Sequence, residues 1–178
     1  SEEQWAVHRS PARQRLVAGG ERSGKSFLSA NDYLGQFWEQ PLLWLVAADY
    51  GRTRAEYDYI CTGFDKLGIP YEASKRVDPG EIEAEGGFHI VTISAQDPRK
   101  IAMVAPDMII ACEANQLDYE TYLRMRGRLA EKRGKLLMGG TFESSLGYYP
   151  ELYNRWLLPN AEDARSFSLP TWTNRAIF

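Results

Sequence analysis

The chain has 178 residues, of which 44% are apolar and 25% charged, a composition typical of one globular domain with a full hydrophobic core. Its formal net charge of −3 carries no overall signature of nucleic-acid binding, so any such surface must be a local cluster of basic residues. No apolar run approaches the roughly 18 residues of a membrane span, and no signal peptide begins the chain, so we expect a soluble intracellular protein without membrane contact.

The first predicted elements are a strand, a loop and a helix. Residues 15–18 are a short apolar strand, and residues 27–40 repeat apolar side chains near helical spacing. Residues 19–26 between them satisfy G-x-x-x-x-G-K-[ST], the phosphate-binding P-loop. Backbone N–H groups of this loop surround phosphates, its lysine reaches the terminal ones, and its hydroxyl binds Mg²⁺. We predict a site for ATP and Mg²⁺, with phosphate contacts from Gly20, Glu21, Arg22, Ser23, Gly24, Lys25 and Ser26.

Strands and helices alternate along the rest of the chain. Further strands are predicted at residues 42–48, 108–112 and 135–138, and helices at residues 53–67 and 117–133. We expect the glycine pair after residue 138 to stop the last of these strands. This alternation predicts an α/β fold with a mainly parallel central sheet flanked by helices on both faces.

Two other segments complete the predicted sheet. Residues 81–85 and 88–93 flank Gly86-Gly87, which is a hairpin signal. From residue 165 the sequence predicts one more strand, followed by an irregular segment rich in Pro, Trp and Asn.

A carboxylate in the right place would complete a hydrolytic site. Hydrolysis of a phosphoanhydride needs a group that orients or deprotonates the attacking water, usually at the carboxyl end of a neighbouring strand. Glu113 follows the strand predicted at residues 108–112, so we predict this role for it. The alternative is an ordinary solvated loop carboxylate.

The order of these landmarks resembles the ATPase domain of the large terminase subunit of tailed double-stranded DNA bacteriophages. The resemblance covers nearly the whole chain, and its most specific part is Glu-Ala, then an arginine-rich helix, then Gly-Gly-Thr. The segments that carry it are Val17–Ser26, Trp44–Tyr50, Arg54–Tyr57, Ile109–Gln116, Leu123–Leu129 and Gly139–Thr141.

The resemblance implies a fold, an activity and a set of partners. The fold is that of an ASCE-type P-loop NTPase, and the activity is ATP hydrolysis that drives viral double-stranded DNA into a procapsid. The implied partners are the portal protein, the small terminase subunit and further copies in a pentameric ring, all acting in the cytoplasm of the infected host. The ATPase domain would cover residues 1–170, and residues 171–178 would begin a linker toward a nuclease domain absent from this chain. We expect this chain alone to be monomeric.

The resemblance also implies roles for individual residues. Arg22 would be the catalytic arginine of the P-loop, and Glu113 the catalytic carboxylate, which also supports the metal through water. Ser26 would bind Mg²⁺ directly. Thr141 would belong to the motif that couples hydrolysis to movement, and Gln4 stands where the adenine-contacting glutamine is expected.

Cys112 departs from the pattern, because the family usually has aspartate directly before the catalytic glutamate. A thiol is a soft ligand that suits Mg²⁺ and its water shell poorly. Two consequences are open. The metal is supported by Ser26, the phosphates and water alone, or hydrolysis is slow. In the alternative interpretation Cys112 is a small buried hydrophobe.

The two cysteines show no metal-binding or redox pattern. Cys61 and Cys112 both fall in segments predicted to be buried, and neither has Cys-x-x-Cys or zinc-ligand spacing. This pattern argues against a zinc site and indicates a reducing compartment.

A ring-shaped motor also needs an arginine from the neighbouring subunit to offset charge in the transition state. Arg99, in the loop before the Glu113 strand, is the first candidate, and Arg52 and Arg54 come after it.

Basic residues concentrate in and after the helix predicted at residues 117–133. Such a cluster can neutralise DNA phosphates without reading sequence, or it can be a solvated face paired with Glu120 and Glu131. The residues concerned are Arg124, Arg126, Arg128, Lys132, Arg133 and Lys135.

Two other classes of P-loop protein remain as alternatives. A small-molecule kinase would need an acceptor pocket and a lid, and no segment of the sequence marks either. A nucleotide-dependent switch such as a GTPase would carry the guanine-reading N-K-x-D motif, which the sequence lacks.

Overall fold

The computed structural model describes residues 1–97, 104–143, 146–159, 161 and 163–174. Its strands are β1 (Gln14–Gly19), β2 (Leu42–Ala47), β3 (Tyr71–Ala73), β4 (Glu81–Ala84), β5 (Phe88–Ser94), β6 (Met108–Ala111), β7 (Lys135–Gly140) and β8 (Ala164–Leu169). Its α-helices are α1 (Glu2–His8), α2 (Lys25–Leu34), α3 (Arg54–Leu67), α4 (Tyr119–Lys132) and α5 (Tyr148–Trp156).

All eight strands form one sheet in the order β3-β4-β5-β2-β6-β7-β1-β8. The six strands from β5 to β8 in that order run parallel, while β4 pairs antiparallel with both β3 and β5 at one edge. Strand β7 separates β1, which leads into the P-loop, from β6, which leads to Glu113. This order confirms the predicted ASCE-type P-loop fold with its mainly parallel sheet.

Apolar residues fill both faces of the sheet, because successive side chains of a strand point to opposite sides. On β1 and β6, Val17 and Ile110 join the core beneath α2 and α3, whereas Leu16 and Ile109 join the core beneath α4 and α5. Helices therefore cover both faces, as predicted. No helix in the described part of the chain combines the length and apolar character that crossing a membrane requires.

Most predicted elements are present, with their ends displaced by one or two residues. Helix α2 is the exception, because it runs from Lys25 to Leu34 and not over residues 27–40. Gly35 ends it, and the Gln36 side chain donates to the free carbonyl of Asp32 at 3.0 Å. The aromatic residues after Gly35 belong to a 3₁₀ turn, Phe37–Glu39. The apolar pattern of residues 27–40 was therefore produced by two separate elements, a helix and this turn.

The prediction that Gly139-Gly140 stops strand β7 is wrong, because both glycines lie inside it and pair with Val17 and Ala18 of β1. A Cβ atom on Gly140 would lie 2.7 Å from Asn115 Oδ1 and 2.8 Å from the Tyr149 ring. Gly140 thus allows close packing rather than a turn.

Three elements were not predicted from the sequence. They are α1, which buries Val7 in the core, the short strand β3, and α5, which buries Tyr149, Leu152 and Trp156.

Candidate nucleotide site

The carboxyl ends of the parallel strands meet at one edge of the sheet and border a cleft of about 700 Å³. This is the place where α/β sheets generally bind ligands. The cleft brings together P-loop residues 21–26, Glu113 and Thr141, which lie on three different connections. P-loop residues 21–26, Glu113 and Thr141, which the sequence predicted for phosphate binding, catalysis and coupling, therefore border one cleft.

The P-loop joins β1 to α2 in the conformation that the motif requires. Gly24 adopts a left-handed φ of 89°, and Lys25 begins the helix. The Lys25 ammonium donates to the carbonyl oxygens of Gly19 and Gly20 at 3.0 and 2.7 Å. Burial lowers the pKa of Lys25, although the nearby Glu113 carboxylate acts in the opposite direction. The lysine thus lies at the base of the cleft, where phosphate oxygens can compete for it.

The segment after β8 contacts the P-loop, and Asn174 of this segment also borders the cleft. Thr171 Oγ1 donates to the carbonyl of Glu21 at 2.9 Å, and Asn174 Nδ2 donates to the carbonyl of Arg22 at 2.6 Å. Residues from which we expected a linker to begin therefore hold the loop, and the end of the ATPase domain stays a prediction.

Gln4 lies against the P-loop although 20 residues separate it from Gly24. Its Nε2 atom is 3.2 Å from the place that a Cβ on Gly24 would take. Two aromatic residues, Phe27 and Tyr59, border the cleft that the P-loop lines, and their rings meet edge to face with centroids 5.5 Å apart. Adenine contact by Gln4 stays a prediction.

Glu113 lies directly beyond β6 in a left-handed conformation, with φ 48° and ψ 51°. For a residue other than glycine this conformation costs about 1–2 kcal/mol, and such strain is concentrated at functional sites. Its carboxylate is half exposed and forms an ion pair with Arg52, which also pairs with Asp49 at 2.8 Å. The turn therefore presents Glu113 at the cleft with Arg52 as its ion-pair partner.

The three candidates for an arginine donated by a neighbouring subunit differ in their surroundings. Arg99 lies outside the described residues. Arg52 pairs with Glu113 of its own chain, and Arg54 pairs with Asp58 at 2.8 Å. The contacts of Arg52 suit a role within one subunit.

Cys112 is 1% exposed, and burial raises the pKa of its thiol well above the ordinary value. The neighbouring Glu56 carboxylate acts in the same direction. A neutral, fully buried thiol is not a ligand for Mg²⁺. This position supports the interpretation of Cys112 as a small buried hydrophobe.

Glu56 is a site residue that sequence reasoning missed. It is 5% exposed in the first turn of α3, and its carboxylate borders the cleft beside the Ser26 hydroxyl and the Cys112 thiol. Burial raises the pKa of Glu56, while the hydroxyl and the thiol favour its charged form. Its Oε2 atom is buried without a hydrogen-bond partner among the described residues.

Asn115 is the second missed residue. Its Oδ1 atom accepts a hydrogen bond from the Thr141 N–H at 3.1 Å. This contact joins the turn after Glu113 to the residue that follows β7, so the two segments touch directly.

The donor set of the cleft fits Mg²⁺, which prefers carboxylate, hydroxyl and water oxygens. Ser26 offers a hydroxyl, Glu113 an exposed carboxylate, and Glu56 a carboxylate oxygen that accepts no hydrogen bond within the described part of the chain. These three residues would hold the ion, directly or through water.

The predicted basic cluster does not form one unpaired face. Arg124 pairs with Glu120 at 2.6 Å and Lys132 with Asp107 at 3.3 Å. The Arg126 guanidinium lies over the Tyr122 ring, 5.6 Å from its centroid, and Lys135 pairs with Glu39 at 3.7 Å. DNA contact by this cluster stays a prediction.

The strand order, the P-loop after β1 and the carboxylate after β6 define an α/β P-loop NTPase fold. The sequence matches no protein-family model and no curated protein. In fold, the chain is similar to the large terminase ATPase domain of Thermus phage P74-26, with a TM-score of 0.74, 18% identity, and coverage of 98% of this chain and 83% of that one.

Two other terminases have similar folds. The large terminase of a thermophilic bacteriophage, in complex with ADP, has a TM-score of 0.78 and 14% identity, over 99% of this chain and 46% of that one. The HK97 bacteriophage large terminase has a TM-score of 0.67 and 11% identity, over 90% of this chain and 36% of that one. The chain thus spans less than half the length of these two proteins. The comparisons establish that it shares the fold of large terminase ATPase domains.

Proposed function

We propose that this chain is the ATPase domain of a large terminase subunit, which hydrolyses ATP to drive viral double-stranded DNA into a procapsid. The observation that carries the proposal is the convergence of Lys25, Ser26 and Glu113 on one cleft, in the fold that terminase ATPase domains share. The thermophilic phage terminase in complex with ADP supports nucleotide binding at this fold. We assign residues 1–170 to the domain and residues 171–178 to the start of a linker.

The side chains of the cleft divide the chemistry among them. Lys25 and the P-loop N–H groups bind the phosphates, and Ser26 binds Mg²⁺. The bound ion would neutralise phosphate charge. Glu113 orients the attacking water and accepts its proton, and the ion pair with Arg52 holds its carboxylate in place. Arg22 offsets developing negative charge from within the subunit.

Movement and assembly follow from the same proposal. Thr141 transmits the state of the site along β7, with Asn115 as its contact to the catalytic turn. A ring of subunits on the portal protein would place Arg99 of one copy at the cleft of the next. The small terminase subunit and DNA would be the other partners, in the host cytoplasm.

The direct test is ATP hydrolysis and ATP binding by the wild-type chain and two variants. Lys25→Ala should abolish hydrolysis and weaken binding without unfolding the chain, because the phosphates lose their cation. Glu113→Gln should bind ATP normally while turnover falls by about 100-fold, as expected when a positioned base is lost. Lys66→Ala, on the exposed face of α3, is the matched control.

The outcomes separate the proposal from its alternatives. Unchanged hydrolysis in Lys25→Ala would remove the central claim. Turnover that requires a small acceptor molecule would favour a kinase, and preference for GTP in a competition assay would favour a switch protein. Stimulation by double-stranded DNA is the result that the motor proposal expects.

A further inference from the structure

Glu56 occupies a position where the fold alone would favour an apolar side chain. Glu56, Ile60 and Phe64 recur at four-residue spacing and so share one face of α3. Ile60 and Phe64 are fully buried in the core beneath the sheet. The chain therefore places a carboxylate at the end of a buried stripe, at the border of the nucleotide cleft.

The contacts of Glu56 leave part of the free energy of burying it unrecovered. Within the described ranges its Oε2 atom is buried without a hydrogen-bond partner, and an unpaired buried polar group costs about 1–3 kcal/mol. A carboxylate buried at such a cost, in a cleft whose donor atoms fit Mg²⁺, is expected where a cation is its partner.

The neighbours of Glu56 identify which ion this is. Its carboxylate lies beside the hydroxyl of Ser26, the residue that we assign to Mg²⁺, and beside the thiol of Cys112. In the pattern that the chain resembles, an aspartate at the place of Cys112 would order the water shell of the metal, and the buried thiol of Cys112 cannot do so. Glu56 reaches the same space from another element.

We propose that Glu56 supplies, from helix α3, the carboxylate oxygen toward the Mg²⁺ water shell that Cys112 cannot supply from the end of β6. In this arrangement the acidic group of the metal site lies on a helix rather than at the end of a strand. This inference rests on the proposed function, since it places Mg²⁺ and a nucleoside triphosphate in the cleft. Glu56 acts here on the metal and its water, whereas Glu113 acts on the attacking water.

The experiment measures metal-dependent nucleotide affinity rather than turnover. Isothermal titration with ATP-gamma-S is carried out with Mg²⁺ and with EDTA, on the wild-type chain and on Glu56→Gln, which keeps the shape of the side chain. We expect Glu56→Gln to lose about 10-fold or more of the tightening that Mg²⁺ causes, and to bind as the wild type does in EDTA. Asp58→Asn, an exposed change two residues along α3, should leave both affinities unchanged.

A second variant and a stability measurement exclude a merely structural role. In Glu56→Gln/Cys112→Asp the carboxylate returns to the strand end, so Mg²⁺ dependence should recover toward the wild-type value. The urea midpoint of Glu56→Gln should not fall below that of the wild type, because the change removes an unpartnered buried carboxylate.

Each contrary result has its own meaning. Undiminished Mg²⁺ dependence in Glu56→Gln, or an equal loss of affinity in EDTA, overturns the assignment of Glu56 while leaving the proposed function intact. A wild-type chain that binds no nucleotide, or binds it equally well without metal, overturns both.

Discussion

Two residues of the cleft have backbone conformations that side chains rarely adopt. Arg22 in the P-loop has a φ of 57°, and Glu113 after β6 has a φ of 48°. Each conformation costs about 1–2 kcal/mol, which packing elsewhere must offset. A buried ion pair joins the two elements that flank the P-loop.

That pair joins Asp32 of α2 to Arg15 of β1. The Arg15 guanidinium donates to both carboxylate oxygens of Asp32, at 2.7 and 2.6 Å, and His8 Nδ1 lies 3.0 Å from one of them. Burial would raise the pKa of Asp32, but the hydrogen bonds from His8 and Arg15 outweigh it and hold the pKa below its ordinary value. The charged carboxylate is therefore the form that the fold stabilises.

We predict that Asp32→Asn lowers the free energy of unfolding by about 3–5 kcal/mol at pH 7, because it leaves Arg15 buried without a counter-charge. Since folding lowers the pKa of Asp32, its stabilisation is complete above the unfolded pKa of about 3.9 and is lost as the pH falls through the folded value. The difference between wild type and variant should therefore narrow below about pH 4. Urea denaturation at pH 7 and pH 3 measures both effects.

The control is Asp58→Asn, which removes an exposed ion pair with Arg54. Such pairs contribute about 0.2–1 kcal/mol, so this variant should stay close to the wild type at both pH values. Equal effects of the two substitutions would contradict the role given to the buried pair.

At the scale of elements, close approach at the end of β7 explains Gly140, one of the two glycines that were misread from the sequence. Gly140 lies between the Asn115 side chain of the catalytic turn and the Tyr149 ring of α5. Tyr149 in turn donates to the carbonyl of Val17 in β1 at 3.0 Å. The absence of a side chain at Gly140 therefore lets Asn115 and Tyr149 pack closely beside β7, and Tyr149 extends this packing to Val17 of β1.

We predict opposite effects of adding one methyl group at two glycines. Gly140→Ala should destabilise the fold by about 1–3 kcal/mol, because the new Cβ overlaps Asn115 and Tyr149. Gly127→Ala, in the middle of α4 with open space around the new atom, should stabilise it by up to about 1 kcal/mol. Urea midpoints of the two variants and the wild type test this prediction. A lower midpoint for both variants would show that the space around the new Cβ atom does not determine the effect.

At the scale of the whole molecule, the proposed hydrolysis of ATP would take part of the positive charge that it needs from the subunit that binds the nucleotide. Arg22 and Arg52 lie at the cleft of the chain that holds Glu113. In the proposed ring a further arginine, Arg99, comes from the neighbouring copy. The isolated chain is then an incomplete enzyme.

We predict that the dilute chain is monomeric and slow, and that its turnover per subunit rises with concentration. Light scattering and ATPase assays over a range of concentrations test this together. Arg99→Ala should impair only the assembled enzyme, measured as ATP hydrolysis on portal-bearing procapsids. Fast turnover that is independent of concentration, or a loss already present in the dilute Arg99→Ala chain, would indicate that the arginines act within one subunit.

The sequence predicted those features that depend on residues close together along the chain. The spacing of residues 19–26 determines the P-loop, because its function requires only local backbone geometry and the start of α2. Alternating apolar strands and helices likewise predicted the mainly parallel sheet, and Glu113 could be placed because the ends of parallel strands meet at one edge. Errors arose at two places where a local pattern is compatible with two structures. A glycine pair can end a strand or lie within one, as at Gly139-Gly140, and apolar spacing can continue a helix or belong to a following turn, as after α2.

Tertiary structure alone decided which distant side chains meet at the site. Three contacts at the site each join different elements. They are the contact of Glu56 with Ser26 and Cys112, the ion pair of Arg52 with Glu113, and the hydrogen bonds of segment 171–174 to the P-loop. The sequence contained one available signal, the carboxylate on the buried stripe of α3. Its meaning depended on how α3 packs beside α2 and the end of β6, and such long-range packing is determined by the sum of many weak contacts rather than by any local pattern.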